Sequence, residues 1–311
     1  MPVVRYEARP RLRNPVFVAA FHGWNDGGSA ATLAASFLRT STNAQRFAVI
    51  DPDDFVDFQQ SRPRVLIEDD DLRVLSWPET EFFHGTLPGS SRDLIACIGV
   101  EPNLRWRAFS GAISELCTEH GVEIALTLGG LLADTPHTRP VPISGAVYEE
   151  KLAAVLDFEP SRYEGPTGII GVLHDSFVRA GIPSASLWAA VPHYIGGTTN
   201  PAAALELVHA VEEVLDVDLD PSDLESASSV FVDQIGRVVE SDPEMASYVK
   251  DLEARSDAGE DADAGDEEDD GPEIDLFRPE GALPTGDDLA SDFQRFLREQ
   301  PGNDEPPGEP R

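Results

Sequence analysis

Two segments carry residue types that could do chemistry on rigid backbone: Thr135-Pro136-His137-Thr138-Arg139-Pro140-Val141-Pro142 and Pro192-His193-Tyr194. Each follows a short apolar run, Ile124–Leu128 and Ala185–Val191, that reads as a buried strand. In an open α/β sheet the crevice outside the strand ends is where sites are built. Prolines fix φ and remove donors, so both loops are stiff. Arg139 can hold a carboxylate or phosphate bidentately, and His137 can move a proton beside it. The structural alternative is that both side chains bond carbonyls of their own loop or a subunit interface, and that alternative is favoured.

A third candidate is the turn Gly23-Trp24-Asn25-Asp26-Gly27-Gly28. It follows the apolar run Val16–Phe21 and leads into a helical pattern from about Ser29 to Leu38, where an anion could sit on backbone donors. The turn matches neither the dinucleotide fingerprint nor the Lys-Ser/Thr ending of a phosphate-binding loop. Asp26 is either a general base or, as favoured here, a helix cap. His22, His137, His174 and His193 are scattered without metal-ligand spacing, so no metal is expected. No Gly-x-Ser-x-Gly elbow marks a serine nucleophile, and His174-Asp175 reads as the first turn of a helix. No cofactor is expected.

The elements that must position these residues alternate. Phe47–Asp51, Val65–Glu68, Arg73–Trp77 and Asp93–Gly99 read as strands, and Leu104–His120 has helical spacing. Ile124–Leu128 is closed by Gly129-Gly130. Tyr148–Leu156 and His174–Ala180 read as helices, and Asn200-Pro201 starts another that runs to about Leu215. Continuous apolar strands separated by helices predict a three-layer α/β/α domain over residues 1–215 with a mostly parallel sheet. Residues 216–256 predict a helical arm in two pieces, the second starting at Pro243, which packs on the core or on a neighbouring subunit. The stretch Asp257–Gly271 is too acidic to offset its ordering entropy, and residues 257–311 read as a largely disordered tail. Within it, Asp288–Glu299 carries Leu289, Phe293, Phe296 and Leu297 on one face, the pattern of a short helix that either docks on a partner or folds back on its own domain.

The formal charge is −34, and the only lysines are Lys151 and Lys250. Such a chain repels phosphate, so neither nucleic acid nor an anionic membrane is expected as a partner. No run approaches the roughly 20 apolar residues of a membrane span. The opening Met1-Pro2-Val3-Val4-Arg5-Tyr6-Glu7 lacks the apolar stretch of a signal peptide. Two cysteines, Cys97 and Cys117, are too few for a disulfide framework and read as buried thiols, so the expected compartment is the cytoplasm.

Several segments in order resemble the proteasome assembly chaperone 2 family, in its bacterial branch. They are Gly23-Trp24-Asn25-Asp26-Gly27, Asp57-Phe58 with Arg62-Pro63, and Gly99-x-Glu101-Pro102 with Arg105-Trp106. They continue with Leu128-Gly129-Gly130, Pro136–Pro140, Tyr163-Glu164-Gly165-Pro166-Thr167-Gly168 and Pro192-His193-Tyr194. The resemblance implies a phosphorylase- or hydrolase-like α/β/α fold, a homo-oligomer, and a non-enzymatic role on protein partners such as proteasome subunits. Binding would then use Trp24, Asn25, Asp26, His137, Arg139, His193 and Tyr194. Family members that dock on the proteasome often end in hydrophobic–Tyr–any residue. This chain ends Gly308-Glu309-Pro310-Arg311, so docking either uses another surface, such as Asp288–Glu299, or does not occur. The competing expectation is a hydrolase or phosphorolytic transferase in which Asp26, His137, Arg139 and His193 share one pocket.

Overall fold

The computed structural model describes residues 3–68, 72–148, 152–153, 159–160 and 164–259. The expected helix at Tyr148–Leu156, Tyr163 of the family motif, and the tail with its 288–299 segment lie wholly or largely outside these residues.

Nine strands form one sheet. In chain order they are β1 (Val4–Tyr6), β2 (Val16–His22), β3 (Gln45–Ile50), β6 (Thr80–Thr86), β7 (Asp93–Val100), β8 (Ile124–Ala133), β9 (Ile143–Val147), β10 (Glu159–Pro160) and β11 (Ser184–Pro192). Their spatial order is β1-β3-β6-β7-β2-β8-β11-β9-β10. The centre, β7-β2-β8-β11, is parallel, while β3, β6 and β9 add antiparallel flanks. A separate two-stranded sheet pairs β4 (Arg64–Glu68) with β5 (Leu72–Ser76).

The helices are α1 (Ala30–Ser41), α2 (Trp106–His120), α3 (Ile169–Ala180), α4 (Pro201–Leu215), α5 (Ser222–Ser241) and α6 (Pro243–Asp257). Strand β2 shows why three layers form: Val16, Val18 and Ala20 enter one core with α1 and α4, and Phe17, Ala19 and Phe21 enter the other with α2 and α3. A strand that is apolar at every position is buried on both faces. The helices supply matching stripes, such as Ala31, Ala34, Ala35 and Leu38 on α1 and Phe109, Ile113 and Leu116 on α2. Asn200 caps α4 as its sequence predicts, its Oδ1 accepting the Ala203 amide at 3.0 Å, with Pro201 in the first turn.

Two readings are corrected. Gly129-Gly130 does not close β8; the strand runs through both to Ala133. A Cβ on Gly129 would lie 2.1 Å from the Trp188 ring on neighbouring β11, so the glycine makes room for an indole. His174-Asp175 is not a first turn, because α3 begins at Ile169. Its first turn is apolar (Ile169, Ile170) and belongs to the second core, which hides the helix start from a search for polar caps.

The arm packs on the core. Leu219 and Leu224, leading into and on α5, join the α1/α4 core, and Met245, Val249 and Leu252 of α6 are at most 4 % exposed.

Candidate functional site

The four central parallel strands deliver their C-terminal ends to one edge of the sheet. From neighbouring β2 and β7 the following helices α1 and α2 leave on opposite faces. A crevice opens where such helices part. Three family-like segments meet there.

Glu101, just past β7, is the hub. Its Oε1 accepts the Asn25 side-chain amide at 3.0 Å and the Ile169 backbone N–H at 2.8 Å. Residue 168 precedes α3 and is a glycine without a capping side chain, so Glu101 supplies the missing acceptor from another strand. A Cβ at 168 would lie 2.7 Å from Asn25 Oδ1 and 2.9 Å from Glu101 Oε1, so a larger residue there must displace this hydrogen-bonded pair. Asn25 is buried while Trp24, beside it, is 69 % exposed.

Asp26 turns the other way. Its Oδ1 accepts the amides of Ala31 (2.9 Å) and Thr32 (3.2 Å), and its Oδ2 accepts the Thr32 hydroxyl. The His22 Nδ1 lies 3.2 Å from the same oxygen. Asp26 therefore satisfies the N-terminus of α1, the capping role favoured from sequence.

The second half lies outside β8 and β11. Tyr194, fully buried, accepts the His137 backbone N–H at 2.8 Å and sits 2.8 Å from His137 Nδ1. Burial lowers the His137 pKa and raises that of Tyr194, so both groups are neutral.

Helix α6 covers these loops. Arg139 donates Nε to Asp257 Oδ1 (2.8 Å), Nη2 to Asp257 Oδ2 (2.9 Å) and Nη1 to Glu253 Oε1 (3.3 Å), and Thr138 donates its hydroxyl to Glu253. On the opposite flank Asp134 accepts Arg255 Nη1 at 3.1 Å and lies 3.2 Å from His193 Nδ1. The Tyr248 hydroxyl is 3.4 Å from both His193 Nε2 and Asp134 Oδ1. The apolar side chains fix the helix: burying each of Met245, Val249 and Leu252 contributes roughly 1.5–3 kcal/mol, whereas an exposed ion pair contributes about 0–1. The polar contacts set its register.

The fold thus gathers His137, Arg139, His193 and Tyr194 under α6, and holds Trp24, Asn25 and Asp26 at the β2/β7 crevice. Arg139 is neither open to a small anion nor braced mainly on its own loop. Asp26 is turned to the N-terminus of α1, whereas His137, Arg139 and His193 lie under α6. Sequence reasoning assigned no role to Glu101, Asp134, Tyr248, Glu253, Arg255 or Asp257. Glu101 stood in a quoted motif, and Glu253 and Asp257 are four apart on a helix, a spacing that places them on one face.

His174 is a satisfied core residue, its Nε2 2.8 Å from the Thr127 hydroxyl and its Nδ1 2.8 Å from that of Ser184. Among the described residues no group of three or more His, Cys, Asp or Glu is placed to hold a metal, and no helix is long and apolar enough to cross a membrane.

The sequence profile of the PAC2 family matches residues 20–239. A PAC2 family protein from Streptomyces avermitilis is 40 % identical, covers 76 % of this chain and 99 % of its own, and superposes with a TM-score of 0.69. A proteasome-assembly chaperone homologue from Mycobacterium tuberculosis is 44 % identical, with 75 % and 99 % covered and a TM-score of 0.68. An archaeal proteasome activator from Pyrococcus furiosus shares the fold at 22 % identity, with 76 % and 98 % covered and a TM-score of 0.62. No curated protein matches the sequence.

Proposed function

The chain belongs to the PAC2 family, and on that premise we propose that it is a non-enzymatic binding protein with a chaperone-like role. In this reading it works in the cytoplasm as a homo-oligomer on protein partners such as unassembled proteasome subunits. The M. tuberculosis chaperone homologue at 44 % identity supports the class of partner.

The observation that carries the reading is Trp24. An indole 69 % exposed beside a base of part-buried hydrogen bonds (the Asn25 side-chain amide and the Ile169 N–H both donating to Glu101) is what a protein-binding anchor requires. Aromatic side chains on rigid backbone concentrate binding energy because little entropy is lost on contact. Asn25 and Asp26 hold the turn that presents it, and His137, Arg139, His193 and Tyr194 hold the loops that α6 covers.

The test is native mass spectrometry of the protein mixed with its host's proteasome α and β subunits. A complex with unassembled subunits that disappears as the core particle matures, and that Trp24→Ala weakens by roughly tenfold or more, supports the reading. An oligomer that ignores those subunits at every stage of assembly removes it.

A further inference from the structure

The β4–β5 hairpin stands apart from the nine-stranded sheet, and among the described residues the outer edge of each strand pairs with nothing. Isolated two-stranded sheets are marginal in water, and open edges invite another strand. The hairpin's side chains also sit the wrong way for a free surface. Val65, Leu66, Ile67 and Leu75 are 50, 45, 70 and 56 % exposed, and none of the hairpin's described side chains is buried. Val65 pairs with Leu75, and alternation puts Ile67 on the same face as both, so three exposed aliphatic residues line one side. Trp77 continues from the base of the hairpin, 44 % exposed and 5.1 Å from the Phe58 ring, which ties the hairpin to the body.

What would cover this element is written in β4 itself. The strand reads Arg64-Val65-Leu66-Ile67-Glu68. Laid antiparallel against a second copy about a two-fold axis at Leu66, position 64 meets position 68, position 65 meets 67, and 66 meets itself. Arginine then stands opposite glutamate twice and every other pair is aliphatic. Opposite charges and β-branched pairs across an antiparallel ladder are the stabilising combinations. The same operation on β5, centred on Val74, sets Arg73 against Leu75 and matches no charge. The register is therefore specific to the β4 edge. For a chain of net charge −34, whose copies repel at long range, a locally neutral and self-complementary strand is where two copies can meet.

We propose that the β4 edge is a self-association surface, pairing antiparallel with β4 of a second copy across a two-fold axis at Leu66 and joining two hairpins into one four-stranded sheet. An interface in which the same patch faces itself must be self-complementary in this way. The proposal rests on the reading above that the chain is a homo-oligomer, but the two can fail separately.

The experiment is sedimentation equilibrium of the full chain, of Arg64→Glu, and of the double variant Arg64→Glu with Glu68→Arg. Arg64 is exposed and outside both cores, so circular dichroism and melting should be unchanged in Arg64→Glu, and the same measurements serve as the folding control for the double variant. Arg64→Glu sets like charges opposite each other at two places and should raise the dissociation constant by roughly tenfold or more. The double variant restores opposite charges and should recover the parent value within about threefold. An oligomer unchanged by Arg64→Glu, or weakened by it but not rescued by the swap, overturns the β4 pairing and leaves the homo-oligomer standing. A parent protein that is monomeric at micromolar concentration removes both.

Discussion

The guanidinium of Arg139 faces the carboxylate of Asp257 in two parallel hydrogen bonds of 2.8 and 2.9 Å, joining residues 118 apart in sequence. Asp257 is the last residue of α6, and the same arginine reaches Glu253 one turn earlier. The pair ties the end of the arm to the loop that leaves β8. Its carboxylate is held below the usual range chiefly by the bond to Arg139.

Arg139→Ala should loosen α6 without unfolding the core. The helix keeps its buried Met245, Val249 and Leu252, so global stability should change little. Amide exchange over residues 249–257 should accelerate by roughly two- to fivefold, while α2 amides keep their protection. Hydrogen exchange with mass spectrometry reads both. Equal acceleration in α2 would mean that the pair supports the whole fold.

Glu101→Ala should cost about 1–3 kcal/mol, because it strands the Ile169 amide and the Asn25 side-chain amide in the β2/β7 crevice. Glu101→Gln keeps an oxygen acceptor and should cost less than about 1 kcal/mol. Urea midpoints of the two variants decide it. Equal losses would mean that the charge, not the acceptor, holds the start of α3.

Most of the central sheet was legible in the sequence because strands buried on both faces are apolar nearly throughout, as Val16–Phe21 is at every position and Ala185–Val191 is at all but Ser186. Strand β6 was not. Its buried Thr80 and Phe82 alternate with Glu81, and His84 and Gly85 follow, so no continuous run stands out. Strand β9 carries Ser144 and Gly145 and reads as loop. Gly129-Gly130 looked like an end because glycine usually punctuates, whereas here it accommodates Trp188 from another strand. The site followed the same rule. His137, Arg139 and His193 could be placed at strand ends from local pattern alone. Their partners Glu253, Asp257 and Tyr248 could not, because the packing of α6 against these loops set those contacts.

Both cysteines should be silent toward thiol reagents in the native protein. Cys97 and Cys117 are fully buried, and that burial raises both thiol pKa values, so almost no thiolate forms at neutral pH. Labelling should begin only as urea unfolds the chain, both sites together. Labelling of Cys117 well before Cys97 would show that α2 detaches ahead of the sheet.

His174 should make the protein acid-sensitive in a window above the carboxylates. Its ring is fully buried between Thr127 and Ser184 and stacked on Tyr148 at 3.9 Å, and burial lowers its pKa to about 3. In the unfolded chain the same group titrates near 6.5. Below that pH the unfolded state takes up a proton that the folded state refuses, so stability falls as pH drops from about 6.5 toward 3. The slope from this one group is about 1.4 kcal/mol per pH unit. His174→Leu leaves the Thr127 and Ser184 hydroxyls without their ring partner, so it should be less stable than the parent at pH 8 by roughly 1–3 kcal/mol. It should also lack that slope between pH 6 and 4.5, so the two stability curves converge on acidification. Urea unfolding across this range measures it. Parallel curves would assign the acid sensitivity to other groups and show that His174 takes up its proton without unfolding.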